Sequence, residues 1–322
     1  MPAAAELQED SSFYRELMRT FPFKKIDAFT KGKSYGNPCA CIYLNSITDI
    51  SPDEMQLIAR ELKGFVNEVV YLFPEDQYFL LKYYSAECEV DFCGHGTIGM
   101  MYDCISNNPI LMNKDIIKIR VKNELLDVYN KIKEQDCVYI TAPSPTYKSV
   151  KLQKNEIASA LNINPENIED KFKMALINAG LNTLIIPIKG LETALSMLPD
   201  QKTLRDFCLN NDLDIILIFT DDVAGKHNKF RTRVFAPKFG YLEDPATGAG
   251  NSAFGYCLLK RDLWDGNSIS IEQNNNRNSP NIIKLDTIKQ DNKTKVVFGG
   301  AALVKIDGTY KIKNHEQPSP KL

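Results

Sequence analysis

The sequence predicts an α+β fold built from two related lobes. The first observation is an order of elements that occurs twice: strands, a helix, further strands, a glycine-rich turn and another helix. The glycine-rich turns lie in "EVDFCGHGTIG", residues 89–99, and in "EDPATGAGNSAFGYCLL", residues 243–259. The second observation is size, because 322 residues with 43% hydrophobic content can supply two cores.

The first lobe is predicted over residues 23–145, after an N-terminal extension over residues 1–22 in which "SSFYRELMRTF" has the length of a single helix. Its clearest element is the helix "SPDEMQLIARELKG", with Ser51 as N-cap, Pro52 at the first position and Gly64 past the end. A further helix is expected from Thr97 to about Ser106. Alternating or apolar runs predict the strands "FPFKKIDAFT", "YGNPCACIYL", "NEVVYLF", "YFLLKYYS", "IIKIRVKNELLDVYNKI" and "DCVYITAP".

The second lobe is predicted over residues 146–322, after a crossing near 143–152, with the C-terminal strands returning to the first lobe. Helices are expected in "QKNEIASALNIN", in "LETALSMLPDQKTLRDFCLNN" and from the second glycine turn to about Lys260. Strands are expected in "KMALINAGLNTLIIPI", "DIILIFTDD", "KFRTRVFAP", "SISIEQ" and "KTKVVFGGAALVKIDGTYKI". The stretch "EQNNNRNSPN" is interpreted as a polar loop, and its asparagine-rich part, residues 274–281, receives no role.

The charge balance argues against several classes of partner. The chain carries 39 basic and 41 acidic residues, so it has no basic field for nucleic acid or for an anionic membrane. No apolar run reaches the roughly 18 residues of a membrane span, and the N-terminus lacks the pattern of a secretion signal. We therefore expect a cytoplasmic protein with a small-molecule partner.

The cysteines and histidines do not show the spacing of a metal site. The eight cysteines include no CxxC pair, and His95, His227 and His315 lie far apart in sequence. An even number of cysteines in a long chain without a signal peptide indicates reduced, mostly buried thiols. The sequence thus predicts neither a metal ion nor a disulfide framework.

The two glycine turns predict a binding site for an anionic group. Glycine at a helix start leaves backbone N–H groups bare, and the helix dipole makes such a start attractive to a carboxylate. If the lobes face each other, both starts point into one cleft. The candidate substrate-binding residues are Gly94, Gly96, Thr97, Thr247, Gly248, Ala249, Gly250 and Asn251.

Reactive side chains occur at the same places. Cys93 and His95 belong to the first glycine segment, Asp244 precedes the second, and Glu68 begins the strand after the capped helix. Strand and helix ends are common positions for active-site residues. A phosphate loop of the GxxxxGK[ST] type is excluded, because that pattern does not occur in the sequence.

Several separate motifs together carry a family resemblance. "IDAFT", "GNPCACIYL", "NEVVYLF", "EVDFCGHGTIG", "RVFAPKFGYLEDPATGAGNSAFGYCLL" and "VFGGAALVKIDG" occur in this order over roughly residues 23–314. The chain resembles the phenazine-biosynthesis PhzF-like family within the diaminopimelate epimerase and proline racemase superfamily.

The resemblance implies two similar lobes, each a curled, mostly antiparallel sheet around a central helix, with the active site in the cleft between them. It also implies a homodimer without a cofactor that moves a proton on a small carboxylate substrate. Glu68 corresponds to the family's catalytic glutamate, Gly94 and His95 to its glycine-histidine pair, and Asp244 to its second-lobe aspartate. Ala249 stands where the phenazine enzymes have serine, a departure that affects recognition of their substrate.

The mechanism that follows is an isomerisation in which Glu68, removed from water, takes a proton from one carbon and returns it to another position. Cys93, whose pKa a helix start would lower, is a candidate second acid/base. An epimerase, racemase or dehydratase using Cys93 with Thr247 or Glu68 is one alternative. A protein that binds a metabolite without catalysis is another.

Overall fold

A computed structural model describes residues 18–290 and 292–313 of the chain. The strands are β1 (Met18–Ala28), β2 (Asn37–Tyr43), β3 (Glu68–Pro74), β4 (Phe79–Ser85), β5 (Glu89–Val90), β6 (Ile116–Val121), β7 (Glu124–Asn130), β8 (Val138–Thr141), β9 (Thr146–Lys148), β10 (Ala175–Asn178), β11 (Asn182–Pro187), β12 (Ile215–Thr220), β13 (Phe230–Phe235), β14 (Glu243–Asp244), β15 (Ile269–Gln273), β16 (Asn281–Gln290), β17 (Lys293–Gly300) and β18 (Ala302–Lys313). The helices are α1 (Pro52–Glu61), α2 (Gly94–Ser106), α3 (Pro109–Met112), α4 (Ile132–Gln135), α5 (Lys154–Ala160), α6 (Leu191–Ser196), α7 (Gln201–Asn210) and α8 (Gly248–Lys260).

One pattern of strand pairing occurs twice along the chain. In the first lobe β1 pairs with β2, β2 lies parallel to β3, β3 pairs with β4, β4 pairs with β5 and lies parallel to β6, and β6, β7 and β8 follow antiparallel. In the second lobe β10 to β17 repeat the same parallel and antiparallel sequence. The prediction of two related α+β lobes is confirmed.

Three further pairings complete the sheet. Strand β17 pairs with β8 and so joins the two lobes. Strand β18 pairs with β1 in the first lobe, as β9 pairs with β10 in the second. Each curled sheet surrounds one helix: α2 packs on β1, β2, β3, β8 and β18, and α8 packs on β10, β11, β12, β16 and β17. Because strands surround each central helix, most residues of α2 and α8 are buried, as is typical of a helix that is apolar on all sides.

Helix α1 begins as predicted and leads the chain to the candidate carboxylate Glu68. The Ser51 hydroxyl accepts from the Glu54 N–H at 3.2 Å, while the Glu54 carboxylate accepts from the Ser51 N–H at 2.8 Å. This reciprocal capping box stabilises the first turn. Gly64, with φ +85°, follows the helix and reverses the chain before β3 begins at Glu68.

Some predicted elements differ from the structure. The helix predicted over residues 11–21 is wrong for residues 18–21, because β1 begins at Met18 opposite Lys313 of β18; residues 11–17 lie outside the described part. Helix α2 begins three residues before the predicted Thr97, since the glycines join its first turn. Strand β16, which lies between β15 and β17, was not predicted from the sequence. No helix in the described ranges is long and apolar enough to cross a membrane.

Candidate active site

The two central helices begin in the same unusual way. Their N-cap residues, Cys93 and Thr247, have extended backbones, and neither side chain accepts a hydrogen bond from its helix. The first intrahelical bonds come from Thr97 N–H to Cys93 O and from Asn251 N–H to Thr247 O. Within the described residues, no group accepts from the preceding N–H groups of Gly94 to Gly96 or of Gly248 to Gly250. Both helix starts therefore present free donors, as an anion site requires.

One aromatic ring lies against both helix starts. A β-carbon placed on Gly94 would lie 3.1 Å from Cζ of Phe298, and one on Gly248 would lie 2.1 Å from Cε2 of the same ring. Phe298 is buried in β17, the strand that joins the lobes. Glycine is therefore required at 248 by close packing, and the two helix starts face one common region.

The first lobe contributes three reactive groups to this region. His95 Nε2 lies 3.3 Å from Glu68 Oε2, and the Cys93 Sγ lies 3.5 Å from His95 Nδ1. Glu68 reaches the helix start because β3 begins beside it, while Cys93 and His95 belong to the start itself. Three residue types with acid/base capacity thus meet, although Cys93 follows Glu68 by 25 positions in the sequence.

The protonation of this cluster differs from the prediction for Cys93. Burial raises the pKa of the Cys93 thiol, and the nearby His95 does not reverse this effect. The predicted lowering is therefore wrong, because loss of water outweighs the favourable helix start. Burial lowers the pKa of His95, but Cys93 and Glu68 outweigh burial and hold that pKa well above its usual value. The contacts with Cys93 and Glu68 therefore favour the protonated form of the imidazole.

The second lobe contributes a hydrogen-bonded carboxylate. Asp244 accepts from the Thr247 hydroxyl at 2.6 Å and from the Asn37 amide at 2.7 Å. Burial raises the pKa of Asp244 to about 6, against the opposing effects of His95 and of the Thr247 hydroxyl. The Gln273 amide supports the same turn, accepting from Thr247 N–H and donating to Asp244 O. Asp244 is therefore fixed in place and titrates near neutrality.

The side chains of Thr97 and Asn251 lie behind the helix starts. The Thr97 hydroxyl donates to Cys93 O at 2.7 Å, and the Asn251 amide donates to Thr247 O at 2.8 Å. Both residues are fully buried. What these positions offer a ligand is the adjoining backbone, together with Ala249, which adds no polar group.

Two asparagines connect the lobes at the site, and sequence reasoning missed both. Asn37, at the start of β2, donates to Asp244 and also to Ala246 O at 2.9 Å. Asn281 accepts from Gly36 N–H at 2.8 Å and donates to Pro245 O at 2.8 Å. The stretch 274–281 thus ends in a lobe-to-lobe contact. Asn37 stands in the quoted "GNPCACIYL", which could have drawn attention to it, whereas nothing local distinguishes Asn281.

The cluster also contains donor atoms suited to a metal ion. Atoms of Glu68, Cys93 and His95 that can bind a metal all lie within 4.8 Å of one another. Their spacing in the sequence does not resemble a metal site, because Glu68 and the Cys93–His95 pair belong to two separate segments.

Comparison with known proteins identifies the family. The family described as phenazine biosynthesis-like protein, PhzC-PhzF, matches residues 26–308. The chain belongs to the PhzC-PhzF family. The fold is shared with the PhzF-family protein of Bacillus anthracis, with a TM-score of 0.79 and 21% identity over 91% of this chain and 99% of that one.

Curated relatives of this PhzC-PhzF chain are named as isomerases. The uncharacterized isomerase YfhB of Bacillus subtilis is 26% identical over 87% of this chain and 94% of its own length. The trans-2,3-dihydro-3-hydroxyanthranilate isomerase of Pseudomonas fluorescens is 24% identical over 70% of this chain and 74% of its own length. The predicted family and the general prediction of an isomerase are confirmed.

Proposed function

We propose that this protein is a cofactor-independent isomerase that transfers a proton on a small carboxylate or amino-acid-like substrate, with Glu68 as the general acid/base. The observation that carries the proposal is the Glu68 carboxylate, 3.3 Å from the His95 imidazole and beside two helix starts with free N–H groups. This combination pairs a base with a binding place for the negative charge that deprotonation creates.

In the proposed reaction, the Glu68 carboxylate transfers the proton and the backbone N–H groups stabilise the negative charge. Glu68 takes a proton from a carbon of the substrate, and the electron pair left behind spreads into the carboxylate or a conjugated system. N–H groups of the helix starts stabilise that charge; loss of one such donor typically costs about 3 kcal/mol. The proton then returns from Glu68 to another carbon or to the opposite face, so no oxidant or reductant is needed.

His95 and Asp244 take supporting roles in this proposal. The cationic imidazole keeps Glu68 in place and attracts an anionic substrate. Asp244, with its two acceptor oxygens bound by Thr247 and Asn37, orients an amine or a hydroxyl group of the substrate. Because the pKa of Asp244 is raised to about 6, its charge responds to conditions near neutrality.

A racemase or epimerase that uses Cys93 is the second candidate, favoured by the 3.5 Å contact between Cys93 Sγ and His95 Nδ1. Two observations weigh against it. Burial raises the pKa of Cys93, and the position of a second thiol is taken by Thr247, whose hydroxyl already donates to Asp244. A dehydratase that uses Glu68 shares the first step of the main proposal.

The substrate is proposed only as a class. The relative from Pseudomonas fluorescens is named for trans-2,3-dihydro-3-hydroxyanthranilate, an unsaturated ring carboxylate. Ala249 replaces the serine of the phenazine enzymes, so a compound that does not need this hydroxyl fits better. Amino acids, hydroxy-amino acids and unsaturated ring carboxylates therefore form the test panel.

The test is incorporation of deuterium from heavy water into each compound, followed by mass spectrometry. Wild type is compared with Glu68→Gln, which keeps the side-chain shape but cannot exchange the proton. We expect exchange to fall by about 100-fold to 10,000-fold. Glu75→Gln is the matched control, because Glu75 is an exposed carboxylate just beyond β3.

Two results would contradict the proposal. Full exchange by Glu68→Gln removes the assigned base. Collapse of exchange in Cys93→Ser, with Glu68→Gln active, favours the racemase candidate. If no compound exchanges but several raise the melting temperature of the wild type, the protein is a metabolite-binding descendant of the family.

A further inference from the structure

The cluster of Glu68, Cys93 and His95 has the composition of a zinc site. Zinc takes thiolate sulfur, imidazole nitrogen and carboxylate oxygen as ligands, and three protein ligands with one open position are typical of zinc sites that exchange a water or substrate. The combination of a soft sulfur donor with nitrogen and oxygen favours Zn²⁺ over Mg²⁺ or Ca²⁺, which prefer oxygen alone.

The distances between the donor atoms agree with a tetrahedral ion. Zinc bonds of about 2.3 Å to sulfur and about 2.0 Å to nitrogen or oxygen place sulfur and nitrogen about 3.5 Å apart, and nitrogen and oxygen about 3.3 Å apart. In the structure His95 Nε2 lies 3.3 Å from Glu68 Oε2 and 3.9 Å from Cys93 Sγ. The sulfur therefore lies slightly farther from the nitrogen than a tetrahedral ion requires, and the donor atoms of all three residues lie within 4.8 Å of one another.

One of the donors is also free to bind. Glu68 Oε2 is buried and makes no hydrogen bond to any described residue. An ion at this oxygen replaces the 3.3 Å contact with His95 Nε2, and it gives a full partner to a buried oxygen that lacks a well-formed hydrogen bond. The His95 and Glu68 side chains remain 13% and 20% exposed, which leaves a path from the cleft.

We propose that Glu68, Cys93 and His95 form an open Zn²⁺ site at the start of α2, with the fourth position left for water or a carboxylate. On binding, the Cys93 S–H bond breaks, its proton passes to solvent and a Zn–S bond forms. His95 binds in its neutral form and releases its proton in the same way. The thiolate and the Glu68 carboxylate together neutralise the ion.

Occupancy would block the isomerase, a consequence that rests on the proposed function. Zinc takes the Glu68 oxygen and the imidazole that proton transfer needs, so the ion acts as a reversible inhibitor. The binding site itself does not depend on the reaction and is tested without a substrate.

The experiment is a titration of the full-length, chelator-treated protein with Co²⁺, followed by competition with Zn²⁺ in a calorimeter. We expect a thiolate-to-cobalt absorption band in the near ultraviolet that saturates at one ion per chain and is removed by Zn²⁺. Cys93→Ser should abolish the band. Glu68→Gln and His95→Gln should weaken binding by more than about 100-fold, because loss of a direct ligand exceeds the effect of losing a supporting partner.

Cys88→Ser is the matched control, since Cys88 is the exposed cysteine of the same lobe. It should bind like wild type. Absence of the band from folded wild type overturns the site, and so does a band that survives in Cys93→Ser or is lost in Cys88→Ser. A normal melting temperature of each variant in the absence of metal separates lost ligation from lost folding. Deuterium exchange that persists in metal-free protein shows that the isomerase proposal stands whatever the metal result.

Discussion

The two lobes have equivalent strand registers, but their equivalent positions carry different chemistry. Val69 of β3 lies opposite Tyr84, and Ile216 of β12 lies opposite Phe235. The residues immediately before Val69 and Ile216 therefore occupy equivalent positions, at the first residue of each strand. In the first lobe this residue is Glu68, whereas in the second it is the buried, apolar Ile215.

The opposite arrangement occurs on the short strands before the helices. Val90 of β5 lies opposite Tyr83, and Asp244 of β14 lies opposite Val234. In each lobe the N-cap of the central helix follows three residues later: Cys93 after Val90, and Thr247 after Asp244. The second-lobe carboxylate therefore has an apolar counterpart in the first lobe.

The comparison teaches how a repeated scaffold yields one asymmetric site. Both lobes retain the feature that depends on the backbone, a glycine-rich helix start with free N–H groups. The titratable side chains are divided: the first lobe holds Glu68, Cys93 and His95, and the second holds Asp244 in a network of neutral groups. The proposed anion-binding feature is thus common to both halves, while proton transfer is proposed for the first.

The largest expected difference between the helix starts is steric. Gly248→Ala places a methyl group 2.1 Å from the Phe298 ring, whereas Gly94→Ala places one at 3.1 Å. Overpacking of this kind costs about 1 to 3 kcal/mol, so we expect Gly248→Ala to lose about 3 kcal/mol and Gly94→Ala less than about 1 kcal/mol. Urea denaturation monitored by circular dichroism measures both.

A double mutant tests the cause of this difference. Phe298→Leu in the Gly248→Ala background should recover part of the stability, giving a coupling energy of about 1 kcal/mol or more. Equal losses at the two glycines, or additive effects with Phe298→Leu, would show that the ring does not discriminate between the helix starts.

The second prediction concerns the charge of Asp244. Its pKa is raised from 3.8 to about 6, so the fold favours the protonated acid; the stability this provides is full below about pH 4 and is lost as pH rises through 6. This rise in pKa corresponds to a pH-dependent change of about 3 kcal/mol in the free energy of unfolding. Partial exposure of the side chain to solvent reduces the expected change to about 2 kcal/mol. Asp244→Asn should therefore unfold at higher denaturant concentration than wild type at pH 8.

The matched measurement is the same comparison at pH 4, where the advantage of Asp244→Asn should disappear. The introduced asparagine can still accept a hydrogen bond from Asn37 and donate one to Thr247. A difference in stability between the two proteins therefore reports the charge of Asp244 and not the loss of these hydrogen bonds. An advantage that is constant with pH would mean that burial of the charge is not its source.

The smallest effect is expected at the second N-cap. Thr247→Val removes a hydroxyl that donates to Asp244 at 2.6 Å and accepts from Gln273 at 3.1 Å. A net loss of about 1 kcal/mol is expected for such bonds. Thr247→Ser keeps the hydroxyl and should lose less; if the two variants are equally stable, the network does not stabilise the turn.

The sequence predicted more of the secondary structure than of the contacts that form the site. The capping box at Ser51 and Glu54 and the two glycine turns depend on contacts within a few residues, so their patterns were sufficient to predict α1 and α8. Strand β16 was missed because its polar flanks conceal its central place in the sheet, which its partners β15 and β17 impose. Asn281 was missed for the same reason, since Gly36 and Pro245 approach it only after the sheet forms.

The sequence by itself determined the repeated order of elements, the glycine-rich helix starts and the family, because local backbone preferences and short motifs carry that information. Only the tertiary structure decided that Glu68 meets Cys93 and His95 and that Phe298 lies against both helix starts. It also decided that burial raises the pKa of Cys93, where the helix start alone would lower it. Proximity and loss of water arise from pairing between distant strands, and no local pattern encodes them.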